Sequence, residues 1–75
     1  MKSIIVTGGA GLIGKKLVKV LSEMGYSITV FSRSPDKARR SLPFAQDFVK
    51  WSGELNVSAE CVEKINGAYA VIHLA

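Results

Sequence analysis

The stretch Val6-Thr7-Gly8-Gly9-Ala10-Gly11-Leu12-Ile13-Gly14 sets four glycines between a short apolar run and an amphipathic helix pattern. Few folds accommodate that arrangement. Ile4-Ile5-Val6 reads as a buried strand, and from Leu12 the apolar residues Ile13, Leu17, Leu21 and Met24 recur at helical spacing, with Lys15, Lys16, Lys19 and Glu23 between them. A strand must therefore turn tightly into a helix. Gly8, Gly11 and Gly14 remove the Cβ atoms that would obstruct the turn, the approach of a ligand and the contact of helix on strand. The N–H groups and partial positive charge of the helix N-terminus then suit a phosphate.

Downstream, the pattern repeats the alternation of strand and helix. Gly25 followed by Tyr26 is the expected end of the first helix, a residue free to take positive φ followed by an apolar one. Ser27 to Ser32 is rich in β-branched and aromatic residues and reads as the second strand. Ser34-Pro35-Asp36 opens a second helix with a hydroxyl at the N-cap, proline in the first turn and an acid beside it. Pro43 ends that helix near Leu42, and Asp47 to Trp51 is the third strand. Ser52 to Val57 is a loop; Ser58 caps a third helix that runs to Ile65 and closes at Asn66-Gly67. Tyr69 to Leu74 is the fourth strand. This β-α-β-α-β-α-β order with short connections predicts an α/β fold, a Rossmann-type doubly wound parallel sheet with right-handed crossovers and strand order 3-2-1-4. The switch point then lies between strands one and four, so a ligand sits over the glycine turn and the ends of strands two and four.

Two phosphate ligands compete for these glycines. Gly9 to Lys15 satisfies G-x-x-x-x-G-K, the loop that cradles nucleoside triphosphates, but the next position must be Ser or Thr to hold magnesium and here it is Lys16. Strand four also ends His73-Leu74-Ala75, with no acid for a second magnesium contact. The dinucleotide template fits better, as Gly9-x-Gly11-x-x-Gly14 and again as Thr7-Gly8-x-x-Gly11-x-x-Gly14, with a strand before and a helix after. At the end of strand two an NAD site carries an acid that accepts from the adenosine ribose. This chain has Ser32-Arg33-Ser34, where a guanidinium fork and two hydroxyls suit the 2′-phosphate of NADP. NADP is the expected cofactor and NAD the alternative.

The 75 residues are 48% hydrophobic, enough for a packed core but short for one whose sheet is covered on both faces. Residues 1–75 are thus expected to be the N-terminal part of a dinucleotide-binding domain, the rest of that domain and a substrate domain lying beyond them. The net charge is +4, and Arg33, Lys37, Arg39 and Arg40 fall within eight positions. Such a cluster can meet a phosphorylated small molecule or nucleic acid, and the latter would show as strongly salt-dependent DNA binding. A single cysteine, Cys61, excludes an intrachain disulfide and reads as inert packing on a helix. No signal-peptide core and no 18-residue apolar run are present, so a soluble cytoplasmic protein with no membrane partner is expected.

Two motifs make the chain resemble the extended and atypical short-chain dehydrogenase/reductases, the NAD(P)-dependent epimerase/dehydratase family. Thr7-Gly8-Gly9-Ala10-Gly11-Leu12-Ile13-Gly14 is similar to the family's T-G-x-x-G-x-x-G, and Ala70-Val71-Ile72-His73-Leu74-Ala75 to its fourth strand ending in H-L-A. Phe31-Ser32-Arg33-Ser34-Pro35 with Val49-Lys50-Trp51 is similar to an epimerase-like oxidoreductase subgroup of unclear substrate. The resemblance implies that Gly8, Gly11, Leu12, Ile13 and Gly14 approach the pyrophosphate, that Ser32 and Arg33, with Ser34 beside them, take the ribose phosphate, and that Leu74 and Ala75 touch the cofactor through their backbones. Trp51 and Ser52 stand where the family contacts adenine, although many members have an acid there and Trp51 is equally suited to the core. It also implies a nucleotide-sugar-like or other carbonyl/hydroxyl substrate, or, in a non-catalytic relative, an NADP sensor. The family's Tyr-x-x-x-Lys pair is not within these residues, because Val30 and His73 stand four positions after Tyr26 and Tyr69. His73, between Ile72 and Leu74, is expected to pack or hydrogen-bond rather than act as an acid/base.

Overall fold

A computed structural model describes residues 2–8, 12–51 and 59–74. Four strands, β1 (Ser3–Thr7), β2 (Ser27–Ser32), β3 (Asp47–Lys50) and β4 (Ala70–His73), alternate with three helices, α1 (Leu12–Glu23), α2 (Pro35–Ser41) and α3 (Ala59–Asn66). The strands form one parallel sheet in the order β3-β2-β1-β4. The sheet grows one way from β1 to β3 and then returns to the other side of β1. With right-handed crossovers, that reversal sends α3 to the face opposite α1 and α2.

Burial follows the two-residue period of the strands. Ile4 and Val6 of β1 and Ile28 and Val30 of β2 pack with Val18 of α1 and Ala38 and Leu42 around α2. Ile5, Phe31 and Val49 point the other way, onto Cys61 of α3. Covering both faces is what makes the central strands continuous apolar runs. Cys61 is fully buried, and its thiol donates to the Lys50 carbonyl at 3.7 Å. Gln46 extends the β2–β3 ladder ahead of the first β3 residue: its N–H donates to the Ile28 carbonyl at 2.9 Å, and its side-chain oxygen accepts from the Ile28 N–H at 2.7 Å.

The buried stripe of α1 is not the one that apolar spacing predicts. Gly14 and Val18 are buried and Leu21 packs against the core, whereas Ile13 is 75% and Met24 65% exposed. At 100° per residue the true face lies roughly 60° from the expected one. Glycine carries no apolar signal, yet Gly14 is buried on that stripe.

The helix ends divide in the same way. At the end of α1, the Tyr26 N–H donates to the Leu21 carbonyl and the Gly25 N–H to the Ser22 carbonyl, with Gly25 at φ 92°, which is the paired-bond αL termination expected there. No atom lies within 4 Å of a Cβ built on Gly25, so Gly25→Ala is expected to cost about 1 kcal/mol of backbone strain alone. α3 closes at Asn66-Gly67 as expected, but Gly67 ends it by a different geometry from that of Gly25. It does not take positive φ, and α3 instead ends on bonds from the Gly67 N–H to the Glu63 carbonyl and the Ala68 N–H to the Ile65 carbonyl. A Cβ there would meet nothing nearer than 3.8 Å, so Gly67→Ala should leave stability unchanged or raise it by up to about 1 kcal/mol. Urea midpoints of the two variants measure the contrast.

Ser34 occupies the N-cap of α2 with Pro35 following, as expected, but its hydroxyl makes no capping bond. Its own N–H donates instead to Ser32 Oγ at 3.1 Å, and its carbonyl accepts from the Ala38 N–H. The expected Ser58 cap and the 52–57 loop lie outside the described residues. Trp51 falls just past β3, though its N–H still donates to the Ser32 carbonyl at 2.9 Å.

One ion pair among the described residues ties α3 to β3, Lys64 Nζ to Asp47 Oδ2 at 2.7 Å. The Lys64 ammonium holds the Asp47 carboxyl below its ordinary value of 3.8, with the Phe48 N–H adding to this and burial opposing it; the same bond raises Lys64 above 10.5. The depressed acid contributes stability that is complete above its unfolded value and lost as pH falls through its folded one. The raised base contributes stability below its unfolded value, lost as pH rises through its folded one. Both side chains are about two-fifths exposed, so solvent screening keeps the effect small. Asp47→Asn keeps an acceptor for Phe48 and removes the charge. Urea midpoints should favour the unsubstituted chain modestly at neutral pH and converge with the variant below the carboxylate range.

Candidate functional site

All four strands point their C-terminal ends to one edge of the sheet, and the register sets which residues meet there. Thr7 is level with Phe31 on one side and His73 on the other, which places Gly8 beside Ser32. Gly8 takes φ 66°, a left-handed conformation that costs other residues about 1–2 kcal/mol. Gly9, Ala10 and Gly11 lie outside the described residues. Beyond them Leu12 opens α1, Ile13 is solvent-facing, and Gly14 is buried in the first turn.

The charge pattern at the helix starts separates α1 from its neighbours. Asp36 stands in the first turn of α2 and Glu60 in that of α3, but α1 has no acid in its first turn. The first turn of α1 therefore carries no carboxylate that would repel an anion. The turn after β2 lies alongside. Ser32 Oγ accepts from the Ser34 N–H, which fixes the corner, and Arg33 is exposed without an ion-pair partner among the described residues. The corner from Phe31 to Pro35 contains no acid. Gly8, the first turn of α1 and the Ser32-Arg33-Ser34 corner are residues that could hold a dinucleotide.

Further along the cluster two exposed cations have neighbours: the Arg39 guanidinium lies 5.1 Å from the Phe48 ring centroid, and Arg40 donates to the Asp36 carbonyl. Among the described residues no group of three or more His, Cys, Asp or Glu could hold a metal, and no helix is long and apolar enough to cross a membrane.

On the β4 side, the Leu74 N–H donates to the Thr7 carbonyl at 3.0 Å, and Thr7 Oγ1 and His73 Nδ1 share a hydrogen bond of 2.6 Å. His73 thus has the hydrogen-bonding role expected of it. Trp51 is half-buried between Phe31 and His73, with ring centroids 6.2 and 6.3 Å away, the latter edge-on. Trp51, just past one outer strand, and His73 of the other therefore meet across the two inner ones. Ser52 and Ala75, the remaining expected contacts, lie outside the described residues.

Thr7 belongs to the glycine motif, but reading that motif gave it no role of its own. It is 5% exposed, a polar side chain ending an apolar strand, and its partner is 66 positions away. The available signal was the pair of polar residues at matching strand ends.

Comparison with known proteins agrees with this geometry. Residues 4–75 match the NAD dependent epimerase/dehydratase family. The chain is 35% identical to a dihydroflavonol 4-reductase of Solanum lycopersicum, over 97% of this chain and 21% of that protein. It is 37% identical to the Gerbera hybrida protein of that name, over 97% and 22%. A 3 beta-hydroxysteroid dehydrogenase/Delta 5-->4-isomerase of Mycobacterium tuberculosis (strain ATCC 25618 / H37Rv) is 29% identical, over 96% and 18%. The chain therefore spans about a fifth of the length of the curated relatives it matches. With the glycine turn, the 3-2-1-4 sheet and a match over nearly all of its residues, this chain belongs to the NAD dependent epimerase/dehydratase family.

Proposed function

We propose that this chain is the NADP-binding portion of an oxidoreductase or epimerase acting on a carbonyl/hydroxyl substrate. The observation that carries the choice of nucleotide is the acid-free Ser32-Arg33-Ser34 corner beside Gly8. A carboxylate there would accept from the ribose hydroxyls of NAD and repel a 2′-phosphate, whereas an exposed guanidinium binds that phosphate with charge-assisted bonds. Gly8, Gly11, Leu12, Ile13 and Gly14 hold the pyrophosphate through backbone N–H groups and the α1 dipole. Ser32, Arg33 and Ser34 hold the ribose phosphate, Leu74 and Ala75 line the switch point, and Trp51 with Ser52 borders the adenine side.

When bound, NADP would supply hydride-transfer chemistry, and these residues would bind and orient the cofactor. In an enzyme of this family a Tyr-x-x-x-Lys pair would perform the acid/base step, and a protein without one would be an NADP sensor. The names of the relatives, a reductase and a hydroxysteroid dehydrogenase/isomerase, favour a general carbonyl/hydroxyl substrate over a nucleotide sugar in particular. The engagement of Arg39 and Arg40 within α2 and against Phe48 favours a small phosphorylated ligand over nucleic acid. The uncovered side of β4, where Val71 is 51% exposed, supports a dinucleotide-binding domain that continues beyond these residues. Calorimetric titration with each nucleotide tests the proposal. NADP is expected to bind at least tenfold more tightly than NAD; equal affinities would contradict the phosphate reading, and binding of neither would overturn the cofactor reading.

A further inference from the structure

We infer that Thr7 and His73 form a latch that positions the phosphate-binding turn, with His73 acting as a positioning residue for cofactor affinity rather than as a ligand contact. This inference rests on the cofactor reading above. Thr7 is the last residue of β1 and immediately precedes Gly8 at φ 66°, so its orientation sets the direction in which the chain enters the turn. Two bonds hold it to the end of β4: the Leu74 N–H donates to its carbonyl, and its hydroxyl shares the 2.6 Å hydrogen bond with His73 Nδ1.

A plain ladder bond would have sufficed to pair the strands. The side-chain bond adds a constraint at the one place where β1 stops being a strand, and it crosses the switch point that divides the two halves of the site. The buried Thr7 hydroxyl also needs a partner, because an unsatisfied polar group in that position is costly. His73 is itself exposed, with Trp51 edge-on to its ring, so the imidazole is held from two sides without being enclosed. Removing the latch should weaken cofactor binding more than it weakens the fold.

The test combines NADP titration with urea denaturation of the full chain and of Thr7→Val, Thr7→Ser, His73→Gln and His73→Asn variants. Asparagine can place a polar atom near the position of Nδ1, while glutamine places one nearer Nε2, so the histidine pair discriminates the bond from the bulk of the ring. Thr7→Val and His73→Gln are expected to weaken NADP binding by about threefold to tenfold, the loss of one hydrogen bond. His73→Asn and Thr7→Ser should remain within about twofold of the unsubstituted chain. The Thr7→Val/His73→Gln double variant should bind no more weakly than the weaker single, because both remove the same bond. Urea midpoints identify any variant that fails to fold, and the exposed His73 pair keeps the test open if Thr7→Val does. Unchanged affinity in Thr7→Val and His73→Gln would overturn the latch, as would additive losses or a His73→Asn loss equal to that of His73→Gln, which would make His73 a direct contact. Failure of the unsubstituted chain to bind either nucleotide would overturn the cofactor reading itself, and the latch with it.

Discussion

Arg33→Ala is expected to weaken NADP binding by about 10- to 100-fold, while leaving NAD binding nearly unchanged. The range follows from the loss of a charge-assisted contact of about 1.5–3 kcal/mol. Selectivity for one nucleotide is the informative part. Arg33 is exposed at the corner after β2 and has no ion-pair partner among the described residues, so its removal strands no buried charge and leaves the core intact. The two nucleotides differ only in the phosphate that Arg33 is proposed to meet. Parallel calorimetric titrations measure the ratio; equal losses for both would show that Arg33 acts on the shared part of the cofactor or on the fold. Arg33→Lys should recover only part of the loss, since an ammonium keeps the charge without the planar fork.

Leu42→Ala is expected to cost about 2–5 kcal/mol of stability, a large share of what a small domain has. Leu42 is fully buried just past α2, where its N–H donates to the Ala38 carbonyl and its carbonyl accepts from the Ala45 N–H. It fills the α1/α2 face of the sheet with Val18, Ile28 and Val30, and truncation would leave a cavity among side chains fixed on several elements. Ile13→Ala is the matched control. Both substitutions truncate a large aliphatic residue in or beside a helix, but Ile13 is 75% exposed and its loss should change stability by no more than about 0.5 kcal/mol. Urea denaturation of both decides whether the core lies on the Gly14–Val18–Leu21 stripe or on the stripe that apolar spacing suggests.

What the sequence made legible was whatever local chemistry determines. The bounds of β2, the Gly25 termination of α1 and the strand order follow from residue type, chain reversal and crossover handedness. What it hid depended on neighbours brought in by folding. The buried face of α1 runs through Gly14, which has no apolar side chain to mark it. Ser34 has the right identity for a capping hydroxyl, yet at φ −129° and ψ 88° that hydroxyl makes no cap bond. Gly67 sits where a left-handed terminator is common, but α3 ends in a right-handed turn. The Thr7–His73 bond joins residues 66 apart, beyond the reach of any periodicity. The site divides likewise, since Gly8, Ser32 and Arg33 announce themselves by type and spacing, while Trp51 is seen to bridge Phe31 and His73 only once the sheet is assembled.

A crystal structure of the protein with NADP tests the central claim most directly. The pyrophosphate should lie over the turn from Gly8 to Gly14, with the 2′-phosphate within hydrogen-bonding distance of the Arg33 guanidinium and a hydroxyl of Ser32 or Ser34. A cofactor bound away from that turn, or one whose 2′-phosphate faces solvent or the β4 side while Arg33 stays free, would contradict it.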